Sequence, residues 1–251
     1  SSPIAGVLFA FEVISRKVSR AFIISNLIAV SIAFGLLTIL KEEPLFSVSI
    51  ATWNLKAIPY FILLGILAGM NSVYLTRCVL FFKSQFGKID THYYKIILGS
   101  AVLSISLFFF PQLYGEGYHA IKGIFGNAPQ TQLTITLALT FIGILILKPI
   151  VTSITLASGG DGGVFAPSLF IGAFLGLLLA SILNSFFHVN VIPVNFMIIG
   201  MAAVLSASIH APFTSIFLVC GLTNDYTLFF PILVVCLISK YTAKTIYPYT
   251  V

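Results

Sequence analysis

The sequence predicts an all-α, polytopic integral membrane protein with broken and re-entrant helices. Three observations predict it. First, 59% of the 251 residues are hydrophobic and only 8% are charged, against roughly 25% charged in an ordinary soluble domain. Seven acidic and thirteen basic residues cannot cover a soluble globule of 27.2 kDa, and lipid is the solvent that fits. Second, charge-free apolar stretches recur with the length needed to cross a bilayer, about 20 residues. Third, the later apolar stretches are short and punctuated by Pro and Gly, and none alternates with the two-residue period of a membrane β-barrel.

The elements follow in chain order. Residues 3–11 are apolar but too short to span. Spans are predicted over residues 21–40, 58–76 and 96–113. Residues 133–156 form a fourth, interrupted at Lys148-Pro149, and residues 164–187 a fifth, broken by Pro167. Three short helices follow over 194–209, 211–222 and 228–239, set off by Pro193, Pro212 and Pro231. The loop charges give orientation. Arg16, Lys17 and Arg20 make the first loop basic, and Arg77, Lys83, Lys88 and Lys95 outweigh Asp90 in the third. Lys41 and Lys56 cancel Glu42 and Glu43 in the second loop, and Lys122 cancels Glu116 in the fourth. The first and third loops, and the tail with Lys240 and Lys244, are therefore expected in the cytoplasm. The formal net charge of +6 reads as topology and not as a nucleic-acid surface. Ser1-Ser2-Pro3 enters an apolar stretch with no basic leader, so the chain is expected to begin inside a longer protein.

Short helices broken by Pro and Gly have a physical meaning in a membrane. Backbone interrupted at membrane depth is tolerated only where protein or a water-filled cavity satisfies it. Transporters use such half-helices to aim helix N-termini at anions near the midplane. The sharpest such segment is Ser158-Gly159-Gly160-Asp161-Gly162-Gly163-Val164-Phe165-Ala166-Pro167. Its glycines let the main chain approach a ligand closely. A helix is predicted to start near Phe165, with Pro167 in its first turn, where a missing N–H does no harm. The first N–H groups of that helix have no internal partner, and the helix dipole makes the spot positive. An anion site follows without a fixed cation, which suits conduction because binding must remain weak enough for release.

Gly162-Gly163-Val164-Phe165-Ala166-Pro167 resembles the anion-selectivity signature of the CLC family of chloride channels and chloride/proton exchangers. Further segments agree in order along the chain. Ser2-Pro3-Ile4-Ala5-Gly6-Val7-Leu8-Phe9-Ala10-Phe11-Glu12 resembles an early family helix, and Gly115-Glu116-Gly117-Tyr118 an extracellular loop. Gly200 to Leu205, Ile209 to Thr214 and Thr223-Asn224-Asp225-Tyr226 resemble a late helix pair that contributes to the dimer interface. The resemblance implies a CLC-like fold and a homodimer with one anion path per subunit. Residues 1–251 would be the later two thirds of a membrane domain in the cell (inner) membrane. Chloride would be the substrate, coordinated by main-chain N–H groups at Val164 and Phe165 beside Gly162 and Gly163. No cofactor or metal is implied. The family's remaining anion-binding segments would lie upstream, and its anion-touching tyrosine just past Val251, so neither Tyr247 nor Tyr249 is that residue. Many family exchangers carry a proton-passing glutamate where this chain has Val13. Valine carries no proton, which favours passive flow over exchange, with fluoride and nitrate as alternative anions.

The remaining polar residues allow specific expectations. Glu12 either pairs with Arg16 one turn on or contacts water and protons at the cytoplasmic mouth. Lys148, a charge inside a span, needs a partner or a cavity; it either attracts anions, snorkels or pairs with an acid. Asp161 is expected to cap the following helix or to pair with Lys148. His210 reads as a loop residue, and His92, His119 and His188 have no metal spacing. Cys78, Cys220 and Cys236 read as small buried hydrophobes, and Leu107 to Phe110 as lipid-facing packing. No nucleophile triad or carboxylate pair points to an enzyme.

Overall fold

The computed structural model describes residues 2–15, 19–41, 44–46, 48, 50, 52–128 and 133–250. Arg16, Lys17, Glu42 and Glu43, which entered the orientation argument, lie outside the described residues. Ten α-helices run through the described residues: α1 (Pro3–Phe9), α2 (Arg20–Leu40), α3 (Ile58–Gly87), α4 (His92–Phe109), α5 (Tyr118–Asn127), α6 (Ile135–Ala157), α7 (Phe165–Phe187), α8 (Pro193–Ile209), α9 (Pro212–Thr223) and α10 (Phe229–Ile246). Six elements are long and apolar enough to cross a membrane: α2, α3 with its leading turn, α4, α6, α7 and α10. α1, α8 and α9 are shorter apolar helices.

Several boundaries differ from the sequence expectation, each for a local reason. α3 does not stop at Thr76 but continues through Arg77 and Lys83 to Gly87. Straight-chain Arg, Lys and Gln are good helix formers, and the exposed side chains of Arg77 and Lys83 leave the packed face undisturbed. At 30 residues α3 is about 45 Å long. α10 likewise runs past Ser239 to Ile246 through Lys240 and Lys244. α4 ends early, at Phe109, because Pro111 drives Phe110 out of helical geometry (φ −131°, ψ 79°). α6 is not interrupted at Lys148-Pro149; the helix runs through Pro149, and neighbouring spans make such a residue tolerable in a membrane. Pro167 does not break α7, because it falls in the first turn. α5 occupies a stretch expected to be loop.

The core is the antiparallel pair α7 and α8, buried along nearly their whole length. Small residues make this possible. A Cβ on Gly172 or Gly176 would collide with the backbone of Gly200 or Phe196, and one on Gly200 with that of Gly172. The Gly172-Ala173-Phe174-Leu175-Gly176 spacing is the small-xxx-small stripe that lets membrane helices touch main chain to main chain. α3, α6 and α10 pack around this pair. Buried hydroxyls add hydrogen bonds across it: Ser168 Oγ donates to Ser208 Oγ (3.1 Å), and Ser72 Oγ of α3 lies 3.1 Å from the same atom. By contrast α2 buries no residue and α4 only Gly99. Phe108 and Phe109 point outward as expected, whereas Leu107 and Phe110 pack against the core.

Candidate anion site

The site grows out of the turn between α6 and α7. After Ala157 the chain closes α6 with Ser158 N–H donating to Ile154 O (2.8 Å) and Gly160 N–H to Thr155 O (2.9 Å). Gly159 has φ 93°, and a Cβ there would meet the His92 ring at 3.0 Å. The chain then passes through Asp161, Gly162 and Gly163 without helix and enters α7 at Phe165, behind the N-cap Val164. Ser168 N–H donates to Val164 O (2.9 Å). No acceptor among the described residues takes the N–H groups of Gly162, Gly163, Val164, Phe165 or Ala166, and no side chain caps α7. These are the unpaired donors that a long helix concentrates at its positive end.

Two cavities meet this segment. One of about 470 Å³ is lined by Gly162, Gly163, Phe165, Ala166 and Pro167 together with Lys148 and Asp161. Another, about 310 Å³, is lined by Gly162, Gly163 and Val164 together with Lys83. The glycine segment therefore lines both cavities, each with a lysine on its wall. The Phe165 ring packs edge-on against Phe9 of α1, centroids 5.1 Å apart. Its side chain is held by packing, and its main chain remains available.

Lys148 is 2% exposed. Its Nζ donates to Leu113 O (3.0 Å) and Gly115 O (2.9 Å) and lies 4.7 Å from the centre of the Phe170 ring. The expected snorkelling or acid pairing is thus replaced by two carbonyls and an aromatic face, a combination suited to a cation in low dielectric. The contact ties the segment before α5 to α7. Gly117, at φ 88°, sits so close to Phe170 that a Cβ would overlap the ring. Asp161 does not cap α7, and Lys148 spends its donors on carbonyls; the Asp161 side chain is exposed beside the larger cavity.

Glu12 is engaged elsewhere than expected. It lies in a one-turn π-helix, Ala10–Ile14, that continues α1. Its carboxylate accepts from Phe213 N–H (3.3 Å), Thr214 N–H (2.7 Å) and Thr214 Oγ1 (2.7 Å). It therefore caps α9, whose own N-cap residue Ala211 has no side-chain oxygen. Its expected partner Arg16 is outside the described residues. Val13, next to it, is 42% exposed. Neither residue is brought to the glycine segment. Cys220 and Cys236 are buried and Cys78 half-buried, all as free thiols.

The sequence reading missed three arrangements: Glu12 on α9, Phe9 against Phe165, and the Ser168–Ser208–Ser72 cluster. Each joins residues more than 35 positions apart, and nothing in the local pattern announces such pairs. The Pro212 start of α9 behind Ala211 was a weak signal at most, since α3 starts behind Ala57 with no side-chain cap at all.

Residues 1–244 match the family model described as voltage gated chloride channel. The chain belongs to that family. A ClcB-like chloride channel protein of Ralstonia nicotianae is 27% identical over 252 residues, covering 97% of this chain and 56% of the relative. The voltage-gated ClC-type chloride channel ClcB of Escherichia coli O17:K52:H18 is 27% identical, covering 98% and 58%. Among solved structures, a slow cyanobacterial Cl⁻/H⁺ antiporter superposes with a TM-score of 0.80 at 27% identity, covering 98% of this chain and 58% of the other. A CLC-type fluoride/proton antiporter shares the fold, with a TM-score of 0.75 at 21% identity over 99% and 60%. The chain thus spans a little over half the length of the relatives it matches.

Proposed function

We propose that this chain supplies part of a transmembrane path for chloride or a similar small anion in the cell (inner) membrane. The observation that carries the reading is the uncapped start of α7, where the N–H groups from Gly162 to Ala166, unpaired among the described residues, border two cavities. Dehydration of an anion there is offset by main-chain donors and the helix dipole, and main-chain donors in place of a fixed cation keep binding weak enough for release. Lys83 raises the potential of the smaller approach, and in the larger one Lys148 is opposed by Asp161 and Glu116. The protein acts as a homodimer with one path per subunit, and α1, α9 and α10 carry exposed apolar residues such as Ile4, Phe213 and Phe230 for that contact.

Val13 favours passive flow, since the carboxylate beside it, Glu12, is tied to α9. Proton-coupled exchange is the second reading, and the similarity to a solved Cl⁻/H⁺ antiporter at 27% identity supports it. The test is reconstitution of the intact protein in liposomes under a chloride gradient, with external chloride and pH recorded together. Chloride efflux without proton movement is expected. Stoichiometric uphill proton uptake would establish exchange instead, and no anion flux would remove both readings.

A further inference from the structure

The first turn of α7 has to be ordered by something other than a cap. Among the described residues no side chain caps it. A capping side chain would also spend the N–H groups that an anion needs. Packing against the side chain of the first helical residue can hold the turn and leave those donors free. Phe165 is that residue. Its half-buried ring meets the Phe9 ring edge-on, with centroids 5.1 Å apart and planes at 82°. Aromatic pairs prefer this arrangement, and each ring fixes the direction of the other.

Phe9 is itself held by the way α1 is mounted. α1 packs on α9 and is tied to it at both ends. At one end Ser2 Oγ donates to Phe217 O (2.8 Å), and a Cβ on Gly221 would collide with the Ser2 side chain. At the other end the Glu12 carboxylate takes the N–H and the hydroxyl of Thr214. Phe9, the last residue of α1, stands three positions before Glu12. Between them the π-turn over Ala10–Ile14 begins. Its i→i+5 step sets Glu12 further from the Phe9 face than an α-turn would. One short helix thereby serves two helix starts, α9 through Glu12 and α7 through Phe9. The first receives a carboxylate. The second receives only a ring, and its donors stay unspent.

We propose that Phe9 is a positioning residue of the anion site, acting through the Phe165 ring to keep the first turn of α7 ordered while its N–H groups remain open to the anion. The inference rests on the anion reading of α7. Donors ordered in advance bind more tightly, because less freedom is lost on binding. The test uses the intact protein in detergent, with chloride binding followed by calorimetric titration and folding by a thermal scan. Phe9→Leu is expected to weaken chloride binding about two- to tenfold, the worth of one aromatic pair. Phe9→Tyr, which retains the ring, should restore most of the affinity. Phe165→Leu keeps every main-chain N–H and should weaken binding by a similar factor. In that background Phe9→Leu should cost nothing more, because the ring it acts on is gone. Additive losses in the double variant would overturn the proposal, and so would undiminished affinity in Phe9→Leu. If Phe9→Leu does not fold, unchanged chloride binding in Phe165→Leu overturns it instead. Wild type that binds no chloride would overturn the anion reading too, whereas binding by wild type and by all variants alike overturns the positioning role alone.

Discussion

Glu12 Oε2 accepts from both the backbone N–H and the hydroxyl of Thr214, each at 2.7 Å, and so joins the end of α1 to the start of α9 across more than 200 residues. At the other end of the same antiparallel pair, Ser2 Oγ donates to Phe217 O (2.8 Å). Loss of the carboxylate leaves the first turn of α9 uncapped. Glu12→Ala is expected to destabilise the protein by about 1–2 kcal/mol, seen as a lower unfolding midpoint in detergent. Thr214→Val, which keeps the N–H bond, should cost less. Equal stability of Glu12→Ala and wild type would show that the cap is idle.

The α7–α8 crossing admits no side chain at Gly172 or Gly200. Gly172→Val is expected to destabilise by about 3 kcal/mol or more, because the neighbouring atoms are backbone and cannot turn aside. Gly35→Ala, on α2 with open space around it, should be nearly silent. Folded yield and thermal unfolding of the two variants make the comparison.

Lys148→Met keeps the stem and removes the charge. Two carbonyl acceptors, Leu113 O and Gly115 O, then lose their donor, a destabilisation of about 1–3 kcal/mol. Anion entry should also slow several-fold at low ionic strength. That second effect should shrink near 1 M salt, where screening acts within about 3 Å. A flux loss that is independent of salt would assign Lys148 a purely structural part.

Asp161 works in the opposite direction. Its carboxylate shares a cavity with Lys148 and the glycine segment. Asp161→Asn is expected to raise anion flux, most at low salt, and to leave stability nearly unchanged because no cap or ion pair is lost. Lower flux in this variant would contradict the electrostatic account.

Much of this organisation was legible in the sequence, for reasons that particular residues make plain. The start of α7 at Phe165 followed from Gly162-Gly163 ahead of Pro167, because local backbone chemistry alone decides that turn. The spans followed from apolar length. The extent of α3 past Arg77 was not legible, because loss of apolar character does not end a helix, and nothing breaks this one before Gly87. Pro149 misled in the opposite sense, since packing in a membrane holds a helix that proline would end in water. The partners of Glu12 and Lys148 are main-chain atoms of distant segments, and no spacing rule reaches them.

The central claim is that main-chain N–H groups at the start of α7 hold the anion. An amide-to-ester replacement at Phe165 in the intact protein deletes that one N–H and preserves the side chain against Phe9. Chloride affinity should then fall roughly tenfold or more, the loss of one hydrogen bond to a charged partner. Unchanged chloride binding in the ester variant would contradict the account.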